Sequence, residues 1–143
     1  MVHFFLDARY NFKLPSTNLL IYGHNNQNGK MFSQLDRYKD KKFYKAHTKI
    51  RYTTIEDEIE FEIIAVFYSR VYYQYEQDVF RYYYFIDAND ENEYNHYISN
   101  CKKSSIYNIE KTAKYNEQLL TLSTCSYHTK NGRFVVVARK III

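Results

Sequence analysis

Residues 118–143 read QLLTLSTCSYHTKNGRFVVVARKIII, and the parsing of this stretch decides the fold. Asn131-Gly132 is a strong turn dipeptide within a polar loop that starts at Ser126. Two strands are therefore expected, Gln118 to Thr124 and Arg133 to Ile143. Alternation in the first puts Leu120, Leu122 and Thr124 on one face and Thr121, Ser123 and Cys125 on the other. The second is apolar on both faces through Val135-Val136-Val137-Ala138, the pattern of a central strand covered on both sides. Antiparallel pairing across the loop returns the chain alongside itself and makes Cys125 and Arg133 neighbours.

Upstream of this hairpin the period changes to helical. Asp90 and Glu93 make a capping-box-like start, and Tyr94, Tyr97, Ile98 and Cys101 form an apolar stripe ending near Ser104. Cys101 on that stripe reads as a small core residue rather than a reactive thiol. Farther back the period is two. Ile50 and Tyr52 alternate with charges, Glu56-Asp57-Glu58 makes a polar corner, and Ile59, Phe61 and Ile63 alternate with Glu58, Glu60 and Glu62, a hairpin with one wet face. Its second strand runs on through Ala65-Val66-Phe67-Tyr68 into a Tyr-rich connection, Tyr72 to Phe85, whose pattern fixes no conformation. Before the hairpin, Met31, Leu35 and Tyr38 recur at helical spacing, and Phe43 with His47 extends into a second short helix capped by Asp40. Asn18-Leu19-Leu20-Ile21-Tyr22 is a short apolar run ahead of Gly23, a buried strand ending in a loop, with His24 just past its end.

Strands outweigh the short helices, and neither a repeat nor a linker divides the 143 residues, so one domain spanning 1–143 is expected. Hydrophobic residues at 45% and charged residues at 25% exclude wholesale disorder. The 17 Tyr and 10 Phe favour β-structure, with rings that bury a body and keep a hydroxyl wet. The net charge of +4 is spread along the chain. Its densest part, Lys39, Lys41, Lys42, Lys45 and Lys49, is diluted by Asp36 and Asp40 and reads as a solvated helix face, so no nucleic-acid partner is expected. Cys101 and Cys125 are too few for a disulfide framework and lack metal-ligand spacing, so no metal and no cofactor is expected. No apolar run approaches the roughly 18 residues of a membrane span, and Met1 leads into His3, Asp7 and Arg9 rather than a signal, so the chain is expected to carry no anchor or address.

Three polar residues stand at strand ends where packing does not require them: His24, Cys125 and Arg133. A thiol needs a base or cation nearby to populate its thiolate, and acyl transfer needs donors where charge develops on the carbonyl oxygen. His24 suits the first need and Arg133 the second. Each also has an ordinary reading, as a loop hydrogen-bonder, a packed strand end and a solvated turn residue. His128, three residues past Cys125, is a rival base, read here as a solvent-facing loop residue.

Tyr22-Gly23-His24-Asn25, Gly29-Lys30-Met31-Phe32 with Leu35 and Tyr38, Thr121-Leu122-Ser123-Thr124-Cys125 and Arg133-Phe134-Val135-Val136-Val137 together resemble the sortases, most closely class B. The Leu-x-Thr-Cys motif followed by an Arg that opens the last strand is specific. The likeness extends to Phe5-Leu6-Asp7-Ala8-Arg9 and to the helix from Asp90 to Lys103, and so covers essentially the whole chain. It implies a mainly β fold with short helices, a sortase-like closed β-barrel of about eight strands. It implies a cysteine transpeptidase that cuts an Asn-Pro-x-Thr-like sorting signal of a surface protein. The new carboxyl end would pass through a thioacyl intermediate to a peptidoglycan amine, at the extracytoplasmic face of a Gram-positive cell membrane. Cys125 is then the nucleophile, His24 the acid and base, Arg133 the holder of substrate carbonyls and oxyanion, and Ser123, on the face of Cys125, a supporting residue. Class B enzymes carry an anchor, N-terminal helices and the first barrel strands ahead of the Phe-x-Asp-x-Arg-like stretch where this chain starts. The expectation is thus a barrel lacking its first strands, open to self-association along that edge. Two other readings stay open: a Cys-His hydrolase, and a non-catalytic peptide-binding barrel derived from a sortase.

Overall fold

Six strands make one sheet in the computed structural model, which describes residues 2–5, 17–23, 32, 34–53 and 58–141. They are β1 (Val2–Phe5), β2 (Asn18–Gly23), β3 (Lys49–Thr53), β4 (Glu58–Arg70), β5 (Leu119–Cys125) and β6 (Gly132–Lys140). Their order is β1-β3-β4-β6-β5-β2. The β3–β4 hairpin has the alternation read from sequence, with Ile50 opposite Phe61 and Tyr52 opposite Ile59. The corner residues Glu56 and Asp57 lie outside the described residues. β6 is central, as its two apolar faces require, with β4 and β5 antiparallel on either side. β2 adds parallel to β5, setting Tyr22 beside Ser123 and Gly23 beside Thr124. Among the described residues β1 and β2 are the two margins of the sheet. Ile21 near one margin shares a core with Ile50 and Tyr52 near the other, so the sheet curls into a half-barrel.

The two faces bury different sets of residues. The concave face carries Ile21, Phe61, Ile63, Leu120, Leu122, Phe134 and Val136, closed by Phe32, Leu35 and Tyr38. Leu35 and Tyr38 belong to a 3-10 turn, Leu35–Lys39, followed by helix α1 (Lys41–Ala46), whose first turn is capped by Asp40 accepting from Lys42 N at 2.9 Å. The lysines from Lys39 to Lys49 are exposed as expected, but they divide among the 3-10 turn, α1 and the first residue of β3 rather than forming one helix face. The convex face carries Ala65, Phe67, Leu119, Val135 and Val137 under helix α2 (Glu91–Ser104) and the Tyr-rich connection.

Helix α2 starts where the sequence places it: Asp90 is the N-cap and its carboxylate accepts from Glu93 N at 2.8 Å. Tyr94, Tyr97, Ile98 and Cys101 are its buried stripe. Its C-terminal end is tied to β4, since Ser105 Oγ accepts from Val66 N at 3.2 Å and Ile106 N donates to Val66 O at 2.7 Å. Lys102 Nζ donates to the carbonyls of Ile64 at 2.9 Å, Lys111 at 2.7 Å and Ile109. One irregularity interrupts β4. Ile63 faces Ala138 and Ala65 faces Val137, leaving Ile64 as an inserted residue. Ile63 and Val66 therefore point to the concave core while Ile64 and Ala65 both point to the convex one.

The connection after β4 is held by polar bonds that pattern reading could not supply. Arg70 forks onto Glu76, Glu76 accepts from Tyr73 N at 2.7 Å, and Arg81 Nη2 donates to the carbonyls of Tyr73 and Glu76 at 2.7 and 2.9 Å. A second 3-10 turn, Tyr82–Tyr84, follows. Beyond it, Asn18 N donates to Ile86 O at 2.9 Å and Asn18 Nδ2 to Phe85 O at 2.8 Å, so this segment covers the start of β2.

Candidate active site

Cys125 ends β5 and Arg133 is the second residue of β6, and the ladder pairs them directly. The intervening loop closes through Gly132 N donating to Thr129 O at 3.1 Å, with Asn131 in the left-handed region at φ 55°. Ser126 N then donates to Gly132 O at 3.0 Å. On the far side of Arg133 the ladder places Ser69 of β4. Directly opposed residues project to the same face, so Cys125, Arg133 and Ser69 form one row on the convex face, with Ser123 a step behind Cys125.

Two tyrosines complete this row, and neither was singled out for chemistry in the sequence. Tyr22 Oη lies 2.7 Å from Cys125 Sγ, and the Arg133 guanidinium carbon stands 5.0 Å from the centre of the Tyr22 ring. Hydrogen bonding to Cys125, and then burial, raises the Tyr22 phenol above its ordinary range, against the lowering effect of the Arg133 charge. Behind them Tyr82 Oη meets Ser123 Oγ at 2.6 Å in a buried pair. Burial pushes the Tyr82 phenol up to about 12, opposed by the Ser123 bond and the Arg133 charge. One layer deeper, Tyr97 Oη meets Thr121 Oγ1 at 2.9 Å, and Thr121 donates to Asn18 Oδ1 at 2.8 Å. The alternation of Asn18, Leu20 and Tyr22 in β2 was the available signal for Tyr22; the partner strand it needed was not.

Arg133 Nη1 donates to Gly132 O at 2.9 Å. Among the described residues no carboxylate forms an ion pair with it. Ser123 shares the face of Cys125, but it is buried and its hydroxyl is engaged by Tyr82. His24 lies outside the described residues; Gly23, the residue before it, is beside Thr124. His128 is exposed, bonded through Nδ1 to Ser126 Oγ at 2.7 Å and set edge-on to Tyr68 at 4.9 Å. Tyr68 is the register partner of Phe134, on the concave side of the sheet, which separates His128 from the Cys125 face. Cys101 is buried, with its thiol held well above the usual range by burial. Among the described residues no group of three His, Cys, Asp or Glu is placed to hold a metal, and no helix is long and apolar enough to cross a membrane.

The chain as a whole has relatives among known proteins. The sortase domain profile matches residues 5–141. Sortase B of Listeria monocytogenes is 30% identical over 139 residues, 96% of this chain and 53% of that protein. Sortase B of Staphylococcus aureus is 25% identical over 139 residues, 96% of this chain and 54% of that protein. The chain thus spans about half the length of these curated relatives. The solved structure of a Clostridium perfringens sortase B mutant aligns with a TM-score of 0.75 at 26% identity, covering 95% of this chain and 62% of that one. With nearly all of its length matched by that domain, the chain belongs to the sortase family.

Proposed function

We propose that the chain is a cysteine transpeptidase acting on an Asn-Pro-x-Thr-like sorting signal. The observation that carries this reading is the direct pairing of Cys125 with Arg133, a cation that no carboxylate neutralises among the described residues. In the proposed reaction the Cys125 thiolate attacks the Thr carbonyl carbon and forms a thioester. The peptide bond breaks, and His24 gives a proton to the leaving amine. A peptidoglycan amine then attacks the thioester, His24 takes its proton, and the Cys125 sulfur departs as thiolate. Imidazole suits both transfers because its ordinary pKa lies near neutrality. Arg133 holds the substrate carbonyls and meets the charge that develops on oxygen in each addition. The full protein would act at the extracytoplasmic face of the membrane, where sorting signals and wall amines meet.

Incubating the protein with an Asn-Pro-x-Thr peptide, with and without a primary amine, tests this by mass spectrometry. A thioester on Cys125 and an amine-joined product are expected. Cleavage with water alone even when amine is present makes the protein a Cys-His hydrolase. Binding without any adduct makes it a peptide-binding barrel. Self-association through an open strand edge belongs to the same proposal, and sedimentation across a range of concentrations checks it; a monomer throughout removes it.

A further inference from the structure

The proposed chemistry uses Cys125, His24 and Arg133, yet among the described residues the side chain that meets both the thiol and the guanidinium is Tyr22. Its Oη is 2.7 Å from Cys125 Sγ, and its ring centre is 5.0 Å from the Arg133 guanidinium carbon. The parallel register of β2 on β5 places Tyr22 beside Ser123, one step inside Cys125. The residue is 43% exposed, so ring and hydroxyl stand at the surface a substrate would approach, not in the core.

We propose that Tyr22 is a positioning residue: its hydroxyl donates to the Cys125 thiolate while its ring seats the Arg133 guanidinium, so one side chain sets nucleophile and cation relative to each other. This rests on the transpeptidase reading for its consequence in turnover, but not for its effect on the thiol. The sense of the hydrogen bond follows from acidity. A phenol kept protonated beside a thiolate donates to it, and a donor to the charged form favours that form. The raised Tyr22 phenol agrees with this sense. The ring does a second job. Arg133, which has no carboxylate partner among the described residues, is held by its bond to the Gly132 carbonyl, and the aromatic face adds a second constraint on its plane without neutralising it. Tyrosine unites the two functions; phenylalanine keeps only the second, and leucine keeps neither.

Tyr22 from β2 and Arg133 from β6 face Cys125, and Tyr82 from the connection before α2 and Tyr127 from the β5–β6 loop act on the Tyr22 phenol beside it. His24 lies outside the described residues, and an imidazole's ordinary pKa lies near neutrality. The test is the pH dependence of Cys125 alkylation by iodoacetamide, mapped by mass spectrometry, in the parent protein and in Tyr22→Phe. Each is also measured in a His24→Ala background, so that imidazole titration does not mask the thiol. Tyr22→Phe is expected to move the midpoint of alkylation upward by about one pH unit. It is expected to lower kcat on a sorting peptide about tenfold with KM changed less than about twofold. Tyr22→Leu should raise KM as well, because Arg133 loses its seat. A Tyr22→Phe midpoint equal to the parent's overturns the proposal, and so does a lower one, which would mean that the phenol accepts from the neutral thiol. If the parent processes no peptide, the transpeptidase reading fails while the alkylation midpoint still decides the role of Tyr22.

Discussion

Cys125 and Arg133 are direct partners across the β5–β6 ladder. The backbone hydrogen bonds of two paired strands, not a flexible loop, therefore set the separation of thiol and guanidinium. A site built this way is sensitive to the shape of the cation as well as to its charge. Arg133→Lys keeps the charge but replaces a planar fork that reaches two oxygens by a single ammonium. The expected result is a fall in kcat/KM of about 100-fold or more on a sorting peptide. Near-parental turnover would reduce Arg133 to a point charge.

The two cysteines should separate cleanly in a labelling experiment. Cys125 is partly exposed, whereas Cys101 lies on the buried stripe of α2 with its thiol pushed well above the usual range by burial. A methanethiosulfonate reagent is expected to label Cys125 in the native protein and Cys101 only after unfolding, and Cys125→Ala should abolish turnover. Preferential native labelling of Cys101 would contradict both the burial and the proposed role.

The face of the sheet sets His128 apart from Cys125. His128 packs against Tyr68, whose partner Phe134 points to the concave core. His128→Ala should therefore retain turnover within about threefold, while His24→Ala should lose at least about 100-fold. The opposite ranking in a steady-state assay would reverse the proposed base.

Gly23 has a packing reason to be glycine. A Cβ there would sit 2.1 Å from Cδ2 of the buried Phe32 ring. Gly23→Ala must displace that ring or bend β2, at an expected cost of about 1–3 kcal/mol in denaturant unfolding. Gly23→Ala with Phe32→Leu should recover part of it; an unchanged midpoint in the single variant would show that the ring has room to move.

Tyr82 links stability to alkaline pH. Its phenol titrates at about 12 in the folded protein against 10.0 for an ordinary tyrosine. Above about 10 the unfolded chain gives up this proton while the folded one keeps it. The contribution is thus fully present below pH about 10 and is lost between about 10 and 12, amounting to about 2–3 kcal/mol. Unfolding at a series of alkaline pH values should show the decline, and Tyr82→Phe should flatten it. An equal slope in that variant would assign the effect to other buried phenols.

What could be read from the sequence was what neighbouring residues decide. Asp90 with Glu93 announces α2 because the cap bond spans three residues, and the Glu58–Ile63 alternation announces the β3–β4 hairpin because one face of it is wet. Asn131-Gly132 brought Cys125 to Arg133 because a short loop leaves little choice of partner. The contacts that were not legible are those between distant segments. Tyr22 meets Cys125 across 103 residues and Tyr82 meets Ser123 across 41, and nothing in either local pattern names the partner. The Tyr72–Phe85 connection was opaque for another reason: ion pairs and carbonyl bonds around Glu76 and Arg81 hold it, and these leave no hydrophobic period.

The inserted Ile64 has a consequence for how this chain tolerates changes in length. Its neighbours Ile63 and Ala65 face consecutive residues of β6, Ala138 and Val137. Omitting Ile64 would let the flanking residues keep both their partners and their faces. The loss would be confined to one buried side chain and the carbonyl that Lys102 holds. A deletion at this point would leave Ser69 beside Arg133 with every neighbouring residue on its own face. A deletion from Val66 to Tyr68 would keep Ser69 there only by ironing out the bulge, which turns Ala65 from the convex to the concave side.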